Sequence, residues 1–262
     1  LHLTDESDLS GLPSYVVETG AEEAARRNKN GWVFTLHYPS YVPFMQHANK
    51  RELRKKMYRA FASRGNRNNA FDNKEIIKKI VNLRLQKAQL LGYSTYAEYV
   101  LEERMAGNVD NVYKLLEELH LAASSHALSD KAAIEQLAQN MGLSSPLQRW
   151  DWAYYSEKLR QQKYDLTDEM TKPYFELNSV IKAVFGLAED LYDLTFSVNA
   201  DIPVYNSEVQ VFEVRKKGKS SVQSVLYLDF HPRAGKSQGA WMTTFREQSY
   251  VDGVFECPLV SL

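Results

Sequence analysis

The six histidines carry the most versatile chemistry in this chain, and their spacing makes little use of it. They stand at His2, His37, His47, His120, His126 and His231. A helix that grips a hydrolytic metal carries His-Glu-x-x-His, because imidazoles four apart share a face and place the Glu beside the metal-bound water. No two histidines here are four apart; His120 and His126, six apart, fall on different helix faces. One cysteine, Cys257, allows neither an intrachain disulfide nor a cysteine-built zinc site. Gly235-Lys236-Ser237-Gln238-Gly239 matches the Gly-x-Ser-x-Gly of a nucleophile elbow. That elbow requires strand, sharp turn and helix, with a His further on. Trp241 to Phe245 reads as extended and no His follows His231, so a loop is the preferred reading. The Gly-Lys-Ser triplets at 218–220 and 235–237 lack the Gly that a phosphate loop sets five residues earlier. Glu213 and Phe230 occupy those places.

Other groupings read as surface or packing. Glu102–Glu103 and Glu117–Glu118 are sequence neighbours that diverge on a helix. Tyr93, Tyr96 and Tyr99 recur every third residue, a spacing that packs helices together more readily than it builds a binding platform. The basic run Arg215-Lys216-Lys217-Gly218-Lys219 has no interleaved aromatics. Across 262 residues, 32 Lys and Arg face 33 Asp and Glu, a net charge of -1, so nucleic acid is not an expected partner. With 44% hydrophobic and 25% charged residues, the composition is globular and excludes a collagen, a disordered tail or a small disulfide scaffold. No apolar run approaches the roughly 20 residues of a membrane span, and Leu1 to Glu6 lacks the basic and apolar regions of a signal peptide.

Gly and Pro are few, 12 and 8, which favours long helices. Leu12-Pro13-Ser14 opens a helix to about Asn28, and Gly31 stops it. Trp32 to Leu36 is short and β-prone, with Pro39 ending it. Arg51 to Arg64 is helical. Asp72 with Glu75, and Thr95 with Glu98, resemble capping boxes. The first opens a helix with Ile76, Ile77, Ile80, Leu83, Leu90 and Leu91 near one face, ended by Gly92; the second runs to about Ala106. The longest helical pattern starts at Asp110 and ends near Asn140 and Gly142, and Asp151, Thr167 and Asn178 read as further N-caps. Past residue 198 the period changes to that of strands. Val209 to Val214 and Val222 to Phe230 make a hairpin with a charged tip, and Ala240 to Phe245 and Pro258 to Leu262 add two more strands. The expected fold is mainly α. A multi-helix body spans 1–198, with one short strand near 32–36, and a small antiparallel sheet spans 199–262.

Taken in order along the chain, several stretches resemble the thimet-oligopeptidase family of zinc metallopeptidases, in its peptidyl-dipeptidase Dcp branch. The carriers are Gly31 to Leu36, Pro39-Ser40, Asn49-Lys50-Arg51-Glu52-Leu53-Arg54, Phe71-Asp72-Asn73, Leu90 to Tyr93, and Glu103 to Ala106. Trp150 to Arg160 is the most distinctive, and Tyr227 to Arg233 followed by Gly239-Ala240-Trp241-Met242 completes the set. The resemblance implies a helical, zincin-like clamshell whose channel admits short peptide substrates. It also implies that the His-Glu-x-x-His helix lies beyond Leu262. No catalytic or metal-binding residue is then assigned here. The resemblance further implies zinc as the cofactor of the full-length parent, a fragment that binds none and is itself expected to be inactive, and as partners short peptides and the remainder of the parent chain. The ends, Leu1 without an initiator Met and a strand halted at Leu262, agree with such a fragment.

What the resemblance assigns to this chain is cleft wall: Asp229, His231, Arg233, Gly239, Ala240, Trp241 and Met242. An extended substrate adds to a small sheet through backbone hydrogen bonds, and Gly239 and Ala240 would let it approach closely. Asp229 and Arg233 either satisfy each other at a strand end, or Arg233 meets a peptide carboxylate with its forked donors. The rival reading is a non-catalytic helical peptide-binding or scaffold protein derived from such an enzyme. Localisation is cytoplasmic or periplasmic in a bacterium, with the cytoplasm preferred.

Overall fold

A computed structural model describes residues 1–233, 235–237 and 239–262. Gln238, within the Gly-x-Ser-x-Gly run, lies outside the described residues. The chain divides into two compact units, Leu1–Asp165 and Leu166–Leu262.

In the first unit, β1 (His2–Leu3) pairs antiparallel with β2 (Trp32–Val33), and α1 (Ser14–Arg26) runs between them from an N-cap at Pro13. Gly31 has φ +83°, and a Cβ there would collide with the Leu3 carbonyl, so only glycine lets these strands meet. The expected strand ends early because α2 (Tyr38–His47) begins where Pro39 was read as a stop. Pro39 instead sits in the first helical turn, where its missing N–H is no loss. Burial settles that contest. Phe44 is fully enclosed and packs 4.8 Å from Phe34, in a core shared with Leu3, Val16, Met45 and Met57.

The remaining helices of this unit are α3 (Arg51–Ala62), α4 (Lys74–Leu90), α5 (Tyr96–Leu101), α6 (Val109–Asn140) and α7 (Arg149–Tyr164). Thr95 and Glu98 form the reciprocal box expected of them. Asp72 does not: it accepts from the backbone N–H of Lys74 and of Asn68, leaving Asn73 at the N-cap of α4. The three tyrosines pack as their spacing suggested, with Tyr99 against Tyr93 and Tyr96, under Arg84 and Lys87 of α4. A second core joins Ile134 and Ala138 of α6 to Tyr154 and Tyr155 of α7. Much of the helical surface remains uncovered. Ile76, Ile77, Ile80, Leu83, Leu90 and Leu91 of the α4 region are exposed, as are Leu115, Leu116, Leu119 and Leu121 of α6.

Among the described residues the second unit holds α8 (Asp168–Thr171), α9 (Leu177–Tyr192) and seven strands. Glu176, not Asn178, caps α9, accepting from the N–H groups of Asn178 and Ser179. The strands are β3 (Leu194–Val198), β4 (Gln210–Lys216), β5 (Val222–Leu228), β6 (Thr243–Arg246), β7 (Ser249–Val251), β8 (Val254–Glu256) and β9 (Leu259–Ser261). Five of them form a sheet in the order β3-β4-β5-β9-β6, and β7 and β8 make a separate hairpin. The β4–β5 hairpin has the charged tip read from the sequence. All pairings in the sheet are antiparallel except β5 with β9, which run parallel with Leu226 opposite Val260. The division between units at 165/166 differs from the 198/199 expected from the change of period. Phe185 of α9 stacks at 4.1 Å on Phe196 of β3 and meets Phe212 of β4 edge-on at 5.0 Å, which ties helix and sheet together.

Candidate functional site

Two carboxylates organise the polar chemistry, one in each unit. The first is Asp151, at the third position of α7 rather than at its cap. Its oxygen accepts the Gln148 N–H at 3.0 Å, closing a reciprocal box at the start of the helix. Arg51 of α3 donates Nε and one terminal nitrogen to its two oxygens at 2.9 and 2.7 Å, and Arg54 adds a third bond at 3.1 Å. Arg54, 1% exposed, spends its other donors on the carbonyls of Ala48, Asn49 and Trp150, and its guanidinium lies 4.1 Å from the Tyr154 ring centroid. Burial alone would raise the Asp151 pKa; the Arg51 hydrogen bonds, the Gln148 N–H and Arg54 outweigh it and hold the group below its ordinary value. The Asn49–Arg54 run and the Trp150–Arg160 run are therefore two halves of one lock between α3 and α7. No reacting group is exposed in it.

The second carboxylate, Asp229, follows β5, where its N–H donates to the Leu262 carbonyl at 2.9 Å. Both terminal nitrogens of Arg233 reach it, at 2.6 and 2.8 Å. Tyr205 donates its hydroxyl at 3.1 Å, and the Lys236 ammonium stands 3.1 Å away. The Arg233 bonds, partly opposed by burial and reinforced by Lys236 and Tyr205, hold this carboxyl far below the usual carboxylate range. The same pairing raises the Arg233 pKa. Asp229 is thus held as an anion, with its oxygens taken up by Arg233, Tyr205 and Lys236. Its role is to hold, and the Arg233 fork is already engaged by it.

Of the other residues singled out from the sequence, only His231 bonds to a member of this cluster among the described residues. His231 enters only through its carbonyl, which accepts from Lys236 at 3.1 Å; its imidazole is exposed. Gly239 has φ +120°, and a Cβ there would press to 3.3 Å against the Trp241 ring. Glycine is thus what lets the chain turn beside that indole. Ala240, Trp241 and Met242 are exposed and lead into β6. Among the described residues β6 is an outer strand, bonded to β9 on one side only. An open edge of this kind offers its alternate N–H and C=O groups to an added strand about 4.8 Å away.

Sequence reasoning missed Tyr205, Lys236 and Ser261, whose hydroxyl lies 3.5 Å from that of Tyr205. Lys236 was in view, but only inside the Gly-x-Ser-x-Gly and Gly-Lys-Ser patterns, which were set aside as a nucleophile elbow and a phosphate loop. Tyr205, 24 residues before its partner, left no spacing signal. For a metal, the donor set does not fit: among the described residues no three of His, Cys, Asp and Glu converge on one point.

The comparisons with known proteins bear on both clusters. The family model described as Peptidase family M3 matches residues 44–262. A protein named probable cytosolic oligopeptidase A from Arabidopsis thaliana is 38% identical over 95% of this chain and 37% of its own length. Oligopeptidase A of Salmonella typhimurium is 32% identical over 99% of this chain and 39% of its own. Dipeptidyl carboxypeptidase of Escherichia coli is 34% identical over 95% and 37%. The chain spans less than two-fifths of the length of these relatives. With both the α3–α7 lock and the Asp229 cluster inside the matched residues, the chain belongs to peptidase family M3.

Proposed function

We propose that this chain is part of a zinc-dependent oligopeptidase or peptidyl-dipeptidase that hydrolyses short peptides, and that it supplies a section of the substrate-cleft wall without being hydrolytic itself. The observation that carries this reading is the family match, which covers residues 44–262 of this chain while the chain covers only 37–39% of the relatives named above. Amide hydrolysis in such an enzyme draws its nucleophile from a metal-activated water, and the His-Glu-x-x-His ligands belong to the remainder of the parent. That remainder is also the partner suited to the exposed apolar residues of α4 and α6, among them Ile76, Ile77, Ile80, Leu115, Leu116 and Leu119.

Within this chain the peptide partner is received at the open edge of β6. Gly239 and Ala240 leave room for its backbone, and Trp241 and Met242 offer apolar contact beside it. The cytoplasm is the preferred compartment, in keeping with the name of the Arabidopsis relative. No helix among the described residues is long and apolar enough to cross a membrane.

The test is made on the full-length parent read from the encoding gene. It is expected to contain His-Glu-x-x-His after the residues described here and to cleave an internally quenched peptide. A zinc chelator should abolish that cleavage and added Zn²⁺ should restore it. A parent lacking the motif, or binding the peptide without ever cutting it, replaces this reading with a non-catalytic peptide-binding or scaffold protein.

A further inference from the structure

The Asp229 carboxylate collects more donors than one ion pair requires. Besides the two Arg233 bonds it holds the Tyr205 hydroxyl and the Lys236 ammonium. Lys236 in turn donates to the carbonyls of Asp229 and His231, and its backbone N–H donates to the Arg233 carbonyl at 3.2 Å. One ammonium and one carboxylate thus fold the chain that leaves β5 back on itself. Tyr205 carries this knot to the sheet edge. Its ring lies edge-on to Phe245 of β6 at 6.2 Å, and Phe245 lies edge-on to Tyr227 of β5 at 5.8 Å. The Arg233 guanidinium stands 5.7 Å from the same Tyr205 ring, so cation, phenol and carboxylate form one connected unit.

We propose that Asp229 is a positioning residue, a clasp that gathers Arg233, Lys236 and Tyr205 so that the chain leaving β5 holds one course and β6 presents its open edge. The clasp rests on the peptide-docking reading for its purpose, although its geometry stands without it. Neutralising the carboxylate as Asn leaves one accepting oxygen in place of two and takes away the charge that Arg233 and Lys236 share, with only the more distant Glu208 still acting on Arg233. The Tyr205 hydroxyl then meets a weaker, neutral acceptor, and the ring contact with Phe245 is less firmly anchored. Asp229 touches no substrate in this scheme. It acts through Tyr205 and Phe245 on the strand that does.

The experiment compares the whole chain with Asp229→Asn, Asp229→Glu and Tyr205→Phe by two readouts. One is amide hydrogen exchange, resolved into residues 229–233, the β6 strand and the β4–β5 hairpin. The other is binding of a fluorescein-labelled, unstructured octapeptide. Asp229→Asn is expected to speed exchange in β6 and residues 229–233 about tenfold while sparing β4 and β5, and to weaken the octapeptide about tenfold. Tyr205→Phe should loosen β6 more than residues 229–233, and Asp229→Glu should recover part of both losses. Unchanged exchange in β6, or equal acceleration in β4, β5 and β6, overturns the clasp. Binding that survives Asp229→Asn while β6 loosens overturns its service to the edge. If the unaltered chain fails to bind the octapeptide, the docking reading falls, and the exchange measurement still decides the clasp.

Discussion

Asp151 and Asp229 are both carboxylates held by two cations, yet they differ in what the cations connect. Arg51 and Arg54 lie 100 and 97 residues from Asp151 along the chain, so their bonds join two helices. Arg233 and Lys236 lie four and seven residues from Asp229, so theirs close a loop. The Asp151 side chain is wholly enclosed and that of Arg54 is 2% exposed, though Arg51 beside them keeps 30% of its surface in water; around Asp229 both cations, Arg233 and Lys236, reach water, at 25% and 22%. The same chemistry thus specifies the fold in one unit and presents a strand in the other. A cation in an enclosed, long-range pair has nowhere to go when its partner is lost. A cation in a local, half-wet pair returns to water.

The largest expected effect belongs to Asp151→Ala. Arg54 is then left as a buried charge without a counter-ion, and unfolding by urea should show a loss of about 3–5 kcal/mol. A loss under about 1 kcal/mol would mean that the lock is ornamental. Arg54→Lys keeps the charge but forfeits the fork that reaches the carbonyls of Ala48, Asn49 and Trp150. A loss of about 2 kcal/mol is expected from the same measurement.

Acid comes next. Both carboxyls titrate lower in the folded chain than their ordinary value of about 3.9. Their contribution is complete above that value and is lost as the pH falls through the folded pKa. Stability followed downward from pH 5 should therefore decline, and Asp151→Asn should flatten that decline; an unchanged slope would deny the coupling.

Smaller effects belong to the second unit. Asp229→Ala should cost about 1 kcal/mol of global stability, because its partners rehydrate, and an effect as large as that of Asp151→Ala would erase the contrast. Smallest is the response to salt. At about 1 M NaCl the screening length falls to about 3 Å, so exchange protection around Asp229 should weaken while that around Asp151 holds.

Local chemistry was legible in the sequence at some helix ends and not at others: Asp72 bonds Lys74 and Asn68 instead of forming a box with Glu75, and Glu176 takes the capping place read for Asn178. Thr95 with Glu98 is a complete box, and the longest helix ends at Asn140 as its pattern indicates. The helix Tyr38–His47 was hidden because Pro39 and Pro43 argue against it, and only the burial of Phe44 and Met45 decides in its favour. The parallel seat of β9 between β5 and β6 was hidden because pairing over more than 30 residues leaves no trace in local periodicity. The family resemblance was legible because its stretches recur in order, and two of them prove to be the facing halves of the Asp151 lock. Of the candidate site, Asp229 and Arg233 were found through that resemblance. Tyr205 was not, since nothing in its neighbourhood marks a phenol that reaches 24 residues along the chain.

The account turns on a chain that receives a peptide and does not cut it. The most direct test is mass spectrometry of an unstructured octapeptide incubated with this chain and excess Zn²⁺. The account predicts that the peptide is recovered intact at every time point. Zinc-dependent fragments that a chelator suppresses would contradict it, by requiring within these 262 residues a hydrolytic centre that the described side chains do not assemble.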